Sequence, residues 1–138
     1  MNPLHNSATM YRQMVRDIAV NYHPLSDTEE QDNEFFDYLL NGYLQAKEHQ
    51  ESSEIFVFAA GLLTYGQLEM VNDILDNVPS GKGHVCRLAW TVTTLLPIPE
   101  NIDVFTNGEA IKKWLNENRG RLFWDVEQKR FYINQSLE

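Results

Sequence analysis

Apolar positions recur at helical spacing through most of the chain. Met10, Met14 and Ile18 repeat every four residues, with Tyr11, Val15, Ala19 and Tyr22 beside them. This predicts an amphipathic helix over residues 7–22, stopped by Pro24, which cannot continue a helical hydrogen-bond ladder. A second helix is predicted to begin near Asp27 or Thr28. Ser26 with Glu29, and Asp27 with Glu30, have capping-box spacing, and acids in a first turn face the positive end of the helix dipole. Its predicted apolar face is Phe35, Phe36, Leu39, Leu40, Tyr43 and Leu44. Residues 55–63 are apolar all round, the pattern of a fully buried helix. Ser52 or Ser53 is the expected cap, and Gly66 the stop. For residues 55–58 alone, a buried strand is the competing assignment.

A fourth helix carries Leu68, Val71, Ile74, Leu75 and Val78 on one face, before the Pro79-Ser80-Gly81 break. A fifth is predicted over residues 84–96, weakened by the β-branched run Thr91-Val92-Thr93-Thr94. Pro97 and Pro99 mark an irregular link. Asn107 is the expected cap of a sixth helix, with Ile111, Trp114 and Leu115 inward and Lys112 and Lys113 outward. Beyond Asn118 the strand-formers 122–125 and 130–133 flank a polar connection, which predicts a short hairpin or an extended cap. The spacing of helices two to five suggests two antiparallel pairs, each on the scale of a helical repeat unit. The expected fold class is therefore mainly α: one domain over residues 1–138, an antiparallel helical stack closed by a C-terminal hairpin or cap.

Composition supports a packed core, because 43% of the 138 residues are hydrophobic and 12% are aromatic. Cys86 is the only cysteine, which rules out an intramolecular disulfide and suits a reducing compartment. The N-terminus has no basic region followed by an apolar run, and no stretch reaches the ~18 apolar residues of a membrane span. A cytoplasmic location is the resulting expectation.

Charge changes the picture more. Residues 27–76 hold twelve acids and one base, Lys47, a local net charge of −11, whereas the rest of the chain nets +2. Such a field repels nucleic acid and anionic lipid and accelerates encounter with basic proteins. Solubility alone is the competing explanation for an acidic surface.

Catalytic and metal signatures do not emerge from the spacing. Pro79-Ser80-Gly81-Lys82-Gly83 lacks the first glycine and the hydroxyl residue of a phosphate loop and reads as a turn. His84 and Cys86 stand two apart, a spacing that separates their side chains on a helix, and no second ligand pair completes a zinc site. No cofactor, metal or enzymatic activity is expected. A hydrolase built on two carboxylates is a minor alternative, because carboxylates are plentiful.

The C-terminal segment bears a resemblance. Trp114, Asn118, Leu122, Trp124, Asp125 and Tyr132 fall in the pattern of a terminal segment common in bacterial HEAT-like repeat proteins. Leu115 stands where that pattern often has a second Trp. The resemblance covers about the last 25 residues and implies that Trp114 and Trp124 seal the end of a helical stack. By size, charge and helical content the chain also resembles immunity proteins that neutralise polymorphic bacterial toxins, including contact-dependent inhibition toxins. That resemblance implies an inhibitor of a cognate toxin, a basic nuclease domain being the expected target, with no direct contact to nucleic acid or membrane. The expected contacts are Glu29, Glu30, Asp32, Glu34 and Asp37, with Glu48, Glu51 and Glu54 next. Phe35 and Tyr38 are candidate anchors, with core packing as the competing assignment. The alternative function is a HEAT-like adaptor that joins two proteins and inhibits nothing.

Overall fold

The computed structural model describes residues 7–19, 32–79 and 84–134. It is mainly helical, with a small antiparallel hairpin at the C-terminus. The helices are α1 (Ser7–Ala19), α2 (Asp32–His49), α3 (Ser52–Leu63), α4 (Met70–Asp76), α5 (Trp90–Leu95) and α6 (Gly108–Asn118). A 3₁₀ segment, His84–Ala89, leads into α5, and a 3₁₀ turn, Arg119–Arg121, leads into strands β1 (Leu122–Asp125) and β2 (Arg130–Ile133). The capping boxes expected at residues 26–30 lie outside the described residues, as does the end of the first helix beyond Ala19. No described helix is long and apolar enough to cross a membrane.

Helix α3 is the axle of the fold. Its residues from Ile55 to Leu63 are all buried, and it packs against α1, α2, α4, α5 and the 3₁₀ segment. An all-round apolar helix has no solvent face to lose, so every neighbour gains by covering it. Two glycines let those neighbours approach. A Cβ on Gly42 of α2 would lie 2.7–2.9 Å from three ring atoms of Phe58. A Cβ on Gly61 of α3 would lie 3.0–3.1 Å from the side chains of Val15 and Leu39. The resulting α2 seam is Phe35, Leu39, Gly42 and Ala46, all buried.

That seam corrects the predicted face of α2. Leu40 and Leu44 are 36% and 55% exposed, because Gly42 and Ala46 rotate a narrower strip of the helix onto α3. On α1 the buried set is Ala8, Tyr11, Val15, Ile18 and Ala19, and Met10 faces outward. The second expected helix pair also resolves differently. Helix α4 packs mainly on α3 and α6, whereas α5 packs on α1 and α3.

The predicted caps of α3 and α6 sit differently from expectation. Glu51 occupies the cap position of α3 without a side-chain bond, and Ser52 instead donates to Asn77 Oδ1 at the end of α4 (2.9 Å). Asn107 stands at the cap of α6, but its Oδ1 turns back to accept from the Asp103 N–H (3.1 Å) and from Thr106. Thr91 and Thr93 of the fifth helix turn to local carbonyls, whereas Thr94 pairs with the Tyr11 hydroxyl of α1. Thr91 Oγ1 donates to Leu88 O (2.6 Å), consistent with the tightened 3₁₀ entry to α5.

Helix α3 ends as its sequence predicts. Gly66 has φ +91°, its N–H donates to Leu63 O, and the Gln67 N–H reaches Leu62 O, the pattern of a Schellman motif. Arg12 of α1 locks this end: Nη2 donates to Thr64 O (2.7 Å), and the guanidinium lies 3.7 Å from the Tyr65 ring centroid. A cation there meets the negative end of the α3 dipole. The hairpin closes on the same corner, because a Cβ on Gly66 would lie 2.8 Å from Trp124. Trp114 and Trp124 are both half-buried against the core. Gly66→Ala should therefore lower stability by about 1–3 kcal/mol, combining left-handed strain with displacement of the indole. Thermal denaturation with tryptophan emission checks this, and an unchanged melting temperature would refute the Gly66–Trp124 contact.

Within the hairpin, Leu122 pairs with Ile133, Phe123 with Tyr132, Trp124 with Phe131 and Asp125 with Arg130. Alternation turns Leu122, Trp124, Phe131 and Ile133 toward the core, leaving Phe123 and Tyr132 outward. Asp125 shapes the turn by accepting the N–H groups of Glu127 and Gln128.

Candidate protein-binding face

Six of the eight acids expected to meet a partner lie on α2, at the α2–α3 turn or in the first turn of α3. Glu29 and Glu30 lie outside the described residues. Asp32 opens α2, with its side chain outside the description. Glu34 and Asp37 are exposed toward the start of α2. Glu48 and Glu51 are exposed at the α2–α3 turn, and Glu54 is half-buried in the first turn of α3 and already engaged within the fold. Asp37 and Glu48 stand eleven positions apart on one helix, a rise of roughly 16 Å. The described acids therefore form two groups, one toward the start of α2 and one at the α2–α3 turn, instead of one knot.

The turn between the helices keeps the second group compact. Gln50 adopts φ +55°, its N–H donates to Lys47 O, and the Glu51 N–H donates to Ala46 O. This closes α2 and starts α3 within two residues, which brings Glu48 and Glu51 to one corner.

Internal pairing separates structural acids from available ones. Tyr43 Oη donates to Asp73 Oδ2, and Lys47 Nζ donates to Asp73 Oδ1 (3.2 Å). Lys112 of α6 pairs with Asp76 and, at 3.6 Å, with Glu109. The one base of the acidic stretch is thus engaged by Asp73, tying α2 to α4. Among the described residues, the side chains of Glu34, Asp37, Glu48 and Glu51 make no hydrogen bond or ion pair. Their charge faces solvent uncompensated.

Burial, reinforced by the hydrogen bond to Asp73 and by the charges of Asp73 and Glu69, pushes the Tyr43 phenol above its usual value of 10.0. A raised folded pKa means that the associated stability is complete below about pH 10 and is lost as pH rises above it. Tyr43→Phe should destabilise the protein by about 1 kcal/mol at neutral pH, since the phenol is only partly buried. The gap between the two melting temperatures should narrow between pH 8 and pH 11. A gap that stays constant or widens would contradict this sign.

The two candidate aromatic anchors pack inward. Phe35 is buried and stacks on Tyr38 at 6.0 Å, and Tyr38 donates to Ala19 O (3.3 Å). Outward apolar residues that sequence reasoning missed or placed inside include Leu40 and Leu44 on α2, Trp90 with Phe105 at 5.9 Å, and Phe123 with Tyr132 at 6.0 Å. The signal for the leucines was present in Gly42 and Ala46, small residues that mark the seam of closest helix approach. A groove of about 170 Å³ runs beside this face, and its described walls are Tyr38, Asn41, Gly42 and Gln45. Among the described residues, no three of His, Cys, Asp and Glu gather closely enough to hold a metal ion. No protein-family profile, curated protein or solved structure matches the chain.

Proposed function

We propose that the chain is an inhibitor of the immunity-protein kind, neutralising a cognate toxin with a basic surface, a nuclease domain being the favoured class. The observation that carries this reading is the set of uncompensated carboxylates, Glu34, Asp37, Glu48 and Glu51, on one side of α2 and the start of α3. Carboxylates so placed compete with a nucleic-acid backbone for the Lys and Arg side chains of a nuclease cleft. The fully packed α3 beneath them supports the reading, because a preordered acidic face loses little entropy on binding.

Co-expression with the C-terminal domain of the protein encoded immediately upstream tests it. The expected result is a domain that arrests growth alone and is silenced by this chain, with both recovered in one complex. Persistent toxicity despite soluble expression of the chain would refute inhibition of that partner. The second reading, an adaptor, is favoured by the exposed pairs Trp90–Phe105 and Phe123–Tyr132, which offer contact surfaces away from α2. It gains if two different proteins bind at once and neither loses activity.

A further inference from the structure

On α2, Phe36, Leu40 and Leu44 recur at i, i+4 and i+8, forming an apolar stripe that rises roughly 12 Å along the helix. Leu44 is more than half exposed and Leu40 about one-third, and Phe36 is half-buried with its ring edge-on to Tyr65 at 5.4 Å. Single exposed leucines are ordinary, but an apolar stripe along about two turns of one helix is not. Asp37 lies beside it, Glu48 continues the same row one turn beyond Leu44, and both are exposed. Their helical angles lie within about 40° of Leu44. The face is thus an apolar line with a negative flank, the negative image of a basic amphipathic helix.

We propose that this stripe is the apolar centre of the partner interface and receives a helix whose apolar ridge is bordered by Lys or Arg. The inference rests on the inhibitor reading above and gives that acidic surface its anchor. Phe36 is held by Tyr65, and Tyr65 lies under the Arg12 guanidinium, so one end of the stripe is fixed before any partner arrives. Burial of Leu40 and Leu44 supplies apolar contact at the middle, and the carboxylates set orientation and encounter rate at the rim. Charge complementarity selects the partner: an acidic ridge would meet Asp37 and Glu48 with like-charge repulsion.

The test uses two synthetic helical peptides of about 18 residues, about five turns. One carries a leucine ridge flanked by lysines. The other has the same lysines with glutamine in place of each leucine. Binding to the full chain is followed by fluorescence anisotropy. The wild-type chain is expected to prefer the leucine peptide by about tenfold or more. The double variant Leu40→Gln, Leu44→Gln, with its fold checked by circular dichroism, should lose that preference yet retain salt-sensitive binding to both peptides. Equal affinity of the wild type for the two peptides, or a preference that survives in the double variant, overturns the apolar anchor and leaves the acidic reading standing. No binding of either peptide overturns the acidic reading and this inference together. The wild-type comparison needs no variant, so the test stands even if the double variant fails to fold.

Discussion

Gly42→Ala is expected to destabilise the protein by about 1–3 kcal/mol, although alanine is the better helix former by ~1 kcal/mol. The reason is local: the added Cβ would lie 2.7–2.9 Å from the Phe58 ring. That ring is fully buried and touches Tyr38 edge-on at 6.0 Å, so it has no empty space to enter. Phe58→Ala should cost about 3–5 kcal/mol, a large share of the roughly 5–15 kcal/mol that holds a typical domain together. The informative experiment is the combination. In a Phe58→Leu background the methyl group added at position 42 has room, so Gly42→Ala should cost far less there than in the wild type. Denaturant titration of the four proteins gives the coupling energy. Additive effects would show that α2 and α3 do not meet through this contact.

The second large effect concerns the charged face. Replacing Glu34, Asp37, Glu48 and Glu51 by their amides should slow association with a basic partner by about tenfold or more at low salt. Dissociation should change much less, since rim charges act mainly on encounter. Raising ionic strength from about 0.1 M to about 1 M shortens the screening length from ~10 Å to ~3 Å and should bring the wild type down toward the variant. Thermal stability should stay within about 0.5 kcal/mol of the wild type, because none of the four carboxylates supports the fold. Stopped-flow kinetics against a basic partner, such as the lysine-flanked leucine peptide, reads both rates. Salt-independent association of the wild type would remove charge from the mechanism.

The features that sequence conveyed well were those with a one-dimensional cause. The apolar run of α3, the stop at Gly66 and the break after Asp125 are each set by a few adjacent residues. The hairpin followed from two strand-forming tetrads around a polar turn. What sequence left open depended on which of two adequate faces a helix turns inward. Helix α2 has Phe35, Leu39, Gly42 and Ala46 on one strip and Phe36, Leu40 and Leu44 on the next. Hydropathy favours both, and only the close approach to Phe58 of α3 decides between them. The same ambiguity put Met10 inside on paper and outside in three dimensions. For the acidic face, composition gave the sign of the charge. It could not distinguish Asp73 and Asp76, which are tied to Tyr43, Lys47 and Lys112, from Glu34 and Asp37, which face solvent.

The complete enclosure of α3 also carries a consequence for synthesis. Its apolar residues leave the ribosome after α1 and α2 but before α4 and α5, which complete the enclosure. The nascent chain therefore passes through a stage in which α3 is sheathed on one side and bare on the other. Such a segment is a natural substrate for chaperones that capture short apolar stretches, and a chain halted near residue 79 would be prone to clump. The yield of folded protein then depends on how quickly translation delivers the segment that carries α5 as well as on the charge of the finished surface.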